Sequence, residues 1–266
     1  MNDGAVVFAQ EGPVATLTLN RPERLNALDD TIRDGLAEAL SILSHEPSIR
    51  VGVITGTGRG FCAGGDIHKM MELKGGHQSA AFRRYLEAGN ELIKKIRRLP
   101  KPVLASVNGP AAGAGMNLAL ACDLRIASDQ ATFTQAFVRV GLHPDWGGTF
   151  FLPRLVGIGR AIELFALGEP LSAADAHRLG VVNFLVPHPQ LPAETRKLAE
   201  RLAEAPALPL ALLKQALYER LETQLDLMME YEVGAQMKCF DSDDFTEGLR
   251  AFLEKRKPSF KGNEKI

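Results

Sequence analysis

The chain is poor in cysteine: three residues, Cys62, Cys122 and Cys239, among 266. They lie far apart and form no CxxC pair. That argues against a disulfide framework or a zinc knot and fits a reducing, cytoplasmic setting. Neither sign of charge is in excess. With 31 Lys+Arg against 32 Asp+Glu the formal net charge is −1, so no electrostatic case for nucleic acid exists. The stretch "MNDGAVVFAQEGP" lacks the basic and apolar regions of a secretory signal. There is no GxSxG, HExxH or GxxxxGK[ST], and the histidines are scattered without metal-ligand spacing. "TGTGRGF" imitates a dinucleotide fingerprint, but Phe61 stands where the third small residue belongs. One uncharged run, residues 102–122, is long enough to cross a bilayer. Asn108-Gly109-Pro110 breaks it and Asn117 interrupts its second half, so a buried strand, a turn and a buried helix are expected instead of a membrane span.

What is present reads as a soluble α/β protein. Apolar residues make up 45% and charged residues 24%, ordinary for a globular chain. Two short strands are expected around Glu11-Gly12-Pro13. A helix follows with Leu28, Ile32, Leu36, Leu40 and Leu43 on one face. "VGVIT" (51–55) reads as a buried strand. Residues 77–99 read as an amphipathic helix ended by Pro100 and Pro102. "VLASV", the helix "GMNLALAC" and the strand "DLRIA" come next. Alternating strands and helices imply parallel pairing. From about residue 157 helices dominate, interrupted by one strand at 181–186. The expected division is an α/β core over 1–195 and a helical region over 196–266.

Two segments join a strand end to a turn of small residues: "GRGFCAGGDIHKM" (58–70) and "VNGPAAGAGMNLALACD" (107–123). In the second, Gly113-Ala114-Gly115 opens a helix, where free N–H groups favour negative charge. One donor from each segment would make an oxyanion hole, and tight helix–strand packing explains either segment alone equally well. In "VGLHPDWGGTFFLP" (140–153), Asp145 between Pro144 and Trp146 reads by itself as a turn or helix-cap residue.

Five motifs taken together change that reading. "LNRPERLNAL" (19–28), "GRGFCAGGDI" (58–67), "NGPAAGAGMNLALACD" (108–123), "VGLHPDWGGTFFLPRLVG" (140–157) and "FLEKRKPSF" (252–260) resemble, in order, those of the crotonase superfamily, the enoyl-CoA hydratase/isomerase family. The resemblance implies the crotonase fold of repeated ββα turns with a C-terminal helical region, and an acyl-CoA substrate. It implies no cofactor beyond the coenzyme A moiety of that substrate, and a homotrimer or a hexamer built as a dimer of trimers. The amides of Gly65 and Ala114 would hold the thioester oxygen. Arg24, Asn26, Ala27, Leu28, Ala63, Asp66 and Ile67 would line the coenzyme A site, and Lys257 would meet its phosphates.

The sequence departs from the hydratase pattern. The two glutamates that activate water in the family's hydratases are replaced by Asn117 and Phe137. Asn holds a water but takes no proton from it near neutral pH. Asp145 is the remaining acid in the matching regions. It matches the aspartate that dienoyl-CoA isomerases and ring-opening phenylacetate-pathway isomerases carry before a "GG" turn. The resemblance therefore favours isomerisation with Asp145 as the acid/base and Asn117 near the acyl group, while Phe137 and Trp146 line an acyl pocket or fill the core. A hydratase with a differently placed acid and a catalytically weak acyl-CoA-binding homologue are the alternatives. Related dehalogenases use an aspartate at this place but need a histidine where Asn90 stands.

Overall fold

The computed structural model describes residues 4–262. The main sheet has six strands in the order β1 (Val6–Glu11), β2 (Val14–Leu19), β3 (Val51–Gly56), β4 (Val103–Val107), β6 (Leu124–Ser128), β9 (Phe184–Val186). β1 and β2 form an antiparallel hairpin at Gly12, and every later neighbour pair is parallel. A second, small sheet pairs β5 (Ala111–Ala112), β7 (Thr132–Thr134) and β8 (Leu171–Ser172). Its strands are two or three residues long, too short to leave a periodicity signal in the sequence.

The sheet is covered on both faces, which is why β3 and β4 read as continuous apolar runs. α1 (Asp30–His45) and α3 (Ser79–Arg98) lie on one face. α1 starts where Asp29 accepts from the Ile32 amide at 3.0 Å, an N-cap. It buries Ile32, Leu36, Ala39, Leu40 and Leu43, as the spacing predicts. The other face is closed by α8 (Leu191–Glu204), whose Leu191, Ala199 and Ala203 pack with Val51, Val53, Leu104 and Ile126. These sheet residues alternate with Ile54, Ala105 and Ala127, which belong to the larger core on the opposite side. The expected boundary between 195 and 196 falls inside α8, a helix that belongs to this sheet packing.

The uncharged run 102–122 folds as β4, a turn, β5 and α4 (Ala114–Ala121). No helix among the described residues is long and apolar enough to cross a membrane. A separate helix, α2 (Ile67–Gly75), follows the Gly-rich loop, and α5 (Gly148–Val156) begins nine residues before the point where helices were expected to take over. β9 starts at Phe184 and not at 181, because Val181 and Val182 turn into the core after α7 (Ala173–Arg178). α6 (Ile158–Leu167), α9 (Ala207–Asp241) and α10 (Asp243–Leu253) complete the chain. α9 packs along α3, with the Phe82 and Phe240 rings stacked 4.3 Å apart. Its Leu208, Leu212, Leu213, Leu217, Leu227 and Tyr231 are exposed.

Candidate active site

Backbone pairing brings the two small-residue segments and the turn that ends at Leu28 side by side. The Leu28 amide donates to the Gly64 carbonyl at 2.7 Å, and the Asp66 amide donates to the Leu28 carbonyl at 2.9 Å. The Ala112 amide donates to the Cys62 carbonyl at 2.9 Å, and Phe61 and Cys62 both donate to Pro110 at 3.1 Å. Gly64 sits at the crossing with φ +90°, and a Cβ there would lie 2.6 Å from the Ala112 carbonyl oxygen and 3.5 Å from the Ala114 nitrogen. Only glycine fits that junction. Among the described residues, the Gly65 and Ala114 amides donate to no backbone carbonyl. Ala114 is the first residue of α4, where geometry leaves the N–H free. Both amides thus lie on adjoining segments without a backbone acceptor among the described residues.

Of the residues expected to line a coenzyme A site, several are engaged within the fold. Asn26 is fully buried with φ +57°. Its Oδ1 accepts from the Arg21 amide at 2.8 Å, and its Nδ2 donates to the carbonyls of Thr57 and Gly60 at 3.0 and 2.9 Å. It fastens two loops together and its side chain faces inward. Asp66 caps α2 through the His68 amide at 2.9 Å and pairs with Arg21 at 3.4 Å. Ala27 and Leu28 are buried, Arg24 is exposed, and Ala63, Gly65 and Ile67 are half-buried. Lys257 is exposed in the segment after α10, which is tied to α10 where the Ser259 amide donates to Glu247 at 2.9 Å. Removing the Asn26 amide orphans buried donors and acceptors. Asn26→Ala is therefore expected to lower unfolding free energy by about 2–4 kcal/mol, read from urea denaturation midpoints. A loss below about 0.5 kcal/mol would refute the fastening role.

Asp145 lies deep in the protein, 4% exposed. It does not cap α5. Gly147 is the N-cap residue, without a side-chain cap. The orphan donors of that helix are taken from outside, where Glu232 of α9 accepts from the Gly147 amide at 2.8 Å and the Thr149 amide at 2.9 Å. The Asp145 side chain turns inward. Its Oδ2 accepts from Gln236 Nε2 at 2.9 Å, and its Oδ1 is buried with no partner among the described residues. Burial pushes its pKa up to about 8. The Glu232 charge adds to the rise and the Gln236 hydrogen bond works against it.

The neighbours hold the loop in place. Asn117 is fully buried. Its Nδ2 donates to the Asp145 carbonyl at 2.7 Å, and its Oδ1 accepts from Gln135 Nε2 at 2.8 Å. Both ends of the amide are engaged in bracing the loop. Trp146 adopts φ +52° and is 1% exposed. Its indole lies where a Cβ on Gly89 of α3 would come within 2.1 Å of Nε1, so it packs in the core beside Asn90. A bulky residue in that left-handed region is strained. Phe137 packs over the Gly113 turn, its ring 3.6 Å from where a Cβ would stand. Tyr85 closes the far side, donating to the Leu28 carbonyl at 2.8 Å. Burial drives the Cys62 thiol up to about 12, so it carries no thiolate near neutral pH.

Sequence reasoning missed Glu232, Gln236 and Gln135. A signal for the first two exists. Leu225, Met229, Val233 and Phe240 mark the buried stripe of α9, and Glu232 and Gln236 fall on that stripe at helical spacing. Polar residues on an apolar stripe point to buried partners.

The enoyl-CoA hydratase/isomerase family pattern matches residues 9–263. The 1,2-epoxyphenylacetyl-CoA isomerase of Escherichia coli (strain K12) is 43% identical, with 95% of this chain and 96% of that protein covered. The crotonyl-CoA hydratase of Syntrophomonas wolfei subsp. wolfei is 38% identical over 96% of this chain and 97% of that one. The crystal structure of an enoyl-CoA hydratase from Mycobacterium avium subsp. paratuberculosis K-10 superposes with a TM-score of 0.87 at 35% identity, covering 96% and 98% of the two chains. The likeness spans nearly the whole chain, and this chain belongs to the enoyl-CoA hydratase/isomerase family, with the crotonase fold.

Proposed function

We propose that this protein isomerises an unsaturated acyl-CoA, moving a double bond or rearranging a ring derived from an aromatic acid, with Asp145 as its single acid/base. The amides of Gly65 and Ala114 would hold the thioester oxygen. They would bind it more strongly as charge accumulates there, which makes the adjacent carbon acidic. Asp145, as carboxylate, would take a proton from one carbon and return it to another. For a 3-enoyl-CoA the proton leaves C2 and arrives at C4 as the double bond moves to C2–C3. One carboxyl suffices because no water is added. Arg24 would line the coenzyme A site and Lys257 would meet the coenzyme's phosphates, and the exposed leucines of α9 support assembly into a trimer or a dimer of trimers.

The observation that carries this reading is the buried Asp145 with its raised pKa, among neighbours that lack the hydratase glutamates. The 43% relative named as an isomerase supports it. The relative named as a crotonyl-CoA hydratase supports a second reading, hydration with an unusual acid.

Wild-type turnover of 3-enoyl-CoA, of 2-enoyl-CoA in water and of an epoxide of phenylacetyl-CoA separates the two. Isomerisation is expected to dominate. Its kcat is expected to rise with pH through about 8, because the carboxylate form of Asp145 starts the reaction. Fast hydration with little isomerisation would reverse the order of the two readings. Measurable binding without turnover of any of the three would favour the binding-protein alternative.

A further inference from the structure

We infer that Glu232 and Gln236, one turn apart on α9, are positioning residues for Asp145: Gln236 holds the orientation of its carboxyl, and Glu232 sets the loop on which it stands while facing it with a second buried acid. The inference adds these two residues to the acid/base reading of Asp145 and, for its catalytic meaning, rests on that reading.

The geometry carries it. Glu232 and Gln236 are fully buried, and so is Asp145 apart from a trace of exposure. Gln236 Nε2 donates to one carboxyl oxygen of Asp145 at 2.9 Å, leaving Oδ1 buried and without a partner among the described residues. Glu232 grips the chain on both sides of Gly148 through the amides of Gly147 and Thr149, and it also accepts from the Thr149 hydroxyl. A packed apolar stripe would stabilise α9 without either residue. Two acids buried in one core without a cation paired to either among the described residues cost stability even when hydrogen-bonded, and a fold that needed only packing has no use for them.

Two acids in this setting resist ionising together, since each charge opposes the other. Glu232 is itself pushed up to about 7 by burial, with its three hydrogen bonds pulling the other way. The other elements around Asp145 bring little charge. α3 presents the Tyr85 phenol, which burial, and after it the Asp145 charge, drives upward. Behind Tyr85 stand Cys62, Asp30 and Arg33. His143, on the same loop as Asp145, is lowered by burial and sits edge-on to Tyr231. α4 and α5 offer the uncharged Asn117 and Thr149. Glu232 is thus the ionisable group that raises Asp145 after burial, and Gln236 the one hydrogen bond that opposes the rise.

Two substitutions should move Asp145 in opposite directions. In protein labelled with ¹³C at aspartate Cγ, the Asp145 signal is assigned by its loss in Asp145→Asn and followed with pH. Glu232→Gln removes the opposing charge, and the titration midpoint is expected to fall by about one pH unit. Gln236→Leu removes the donor to the carboxylate, and the midpoint is expected to rise by a similar amount. The pH profile of kcat should follow both shifts, with KM within about twofold, since neither residue acts on substrate binding. Loss of stability with an unmoved midpoint in both variants would reduce the two residues to structural ones and overturn the inference. If Glu232→Gln does not fold, because Gln keeps a single acceptor oxygen for the loop amides, an unmoved midpoint in Gln236→Leu is enough to overturn it. Midpoints that move in a protein whose wild type isomerises nothing would support the arrangement and count against the proposed reaction.

Discussion

Asp145→Asn is expected to lower kcat for double-bond migration by about 10²–10⁴-fold while leaving acyl-CoA affinity within about threefold. The asymmetry follows from where the residue stands. Asp145 is buried, and its open Oδ1 faces no protein donor among the described residues, so its proposed work is proton transfer and not recognition. The proposed recognition belongs to the Gly65 and Ala114 amides and the exposed segments near Arg24. Asn keeps the size and the acceptor that Gln236 addresses, so the loop stays braced by Asn117 and Glu232. What is lost is the base. Some rate should remain, because a polarised thioester still has an acidic carbon without a positioned carboxylate. Steady-state kinetics on 3-enoyl-CoA, with binding measured by calorimetry, reads both quantities. A kcat within about threefold of wild type would remove Asp145 from the mechanism.

The same substitution is expected to stabilise the protein, and to do so more at high pH. Burial raises the native Asp145 pKa from 3.8 to about 8. Between those values the folded chain holds a proton that the unfolded chain has released. Stability from this group is therefore fully present below about 4 and lost as pH rises through about 8. Asn does not titrate. The variant's advantage should be small at pH 5 and reach roughly 3–5 kcal/mol above pH 8, given about 1.4 kcal/mol per pH unit and some relaxation of the site. In a chain of this size that is a Tm higher by on the order of 5–10 °C at alkaline pH. Calorimetric melts of both proteins at pH 5 and 8.5 measure it. An equal Tm difference at the two pH values would show that Asp145 titrates normally. Activity and stability should thus change in opposite directions at one residue, the pattern expected where a fold tolerates a costly group for the sake of its chemistry.

Much of this molecule is legible in its sequence, and the limits have physical causes. The parallel strands β3, β4 and β6 appear as apolar runs because both of their faces are covered. α1 and α3 appear through periodicity, and the C-terminal end of α3 through Pro100 and Pro102. The small sheet of β5, β7 and β8 stayed hidden because two or three residues carry no period. The motif match found the Gly65 and Ala114 turns, because a turn of small residues at a helix start is a local property of the chain.

The roles of individual side chains were harder to see. Asn117 was expected near the acyl group and is taken up by the Asp145 carbonyl and Gln135. Asn26 was expected to line a coenzyme site and instead fastens two loops. Asp145 itself was a turn residue or an acid on sequence grounds. Its chain position determined that a carboxylate stands between Pro144 and Trp146, and the resemblance placed that carboxylate opposite two missing glutamates. Its ionisation is set by burial in the folded core and by two residues of α9 some ninety positions later. A pKa depends on the water removed from a group and on the charges brought near it, and both are set by segments that meet only when the chain folds.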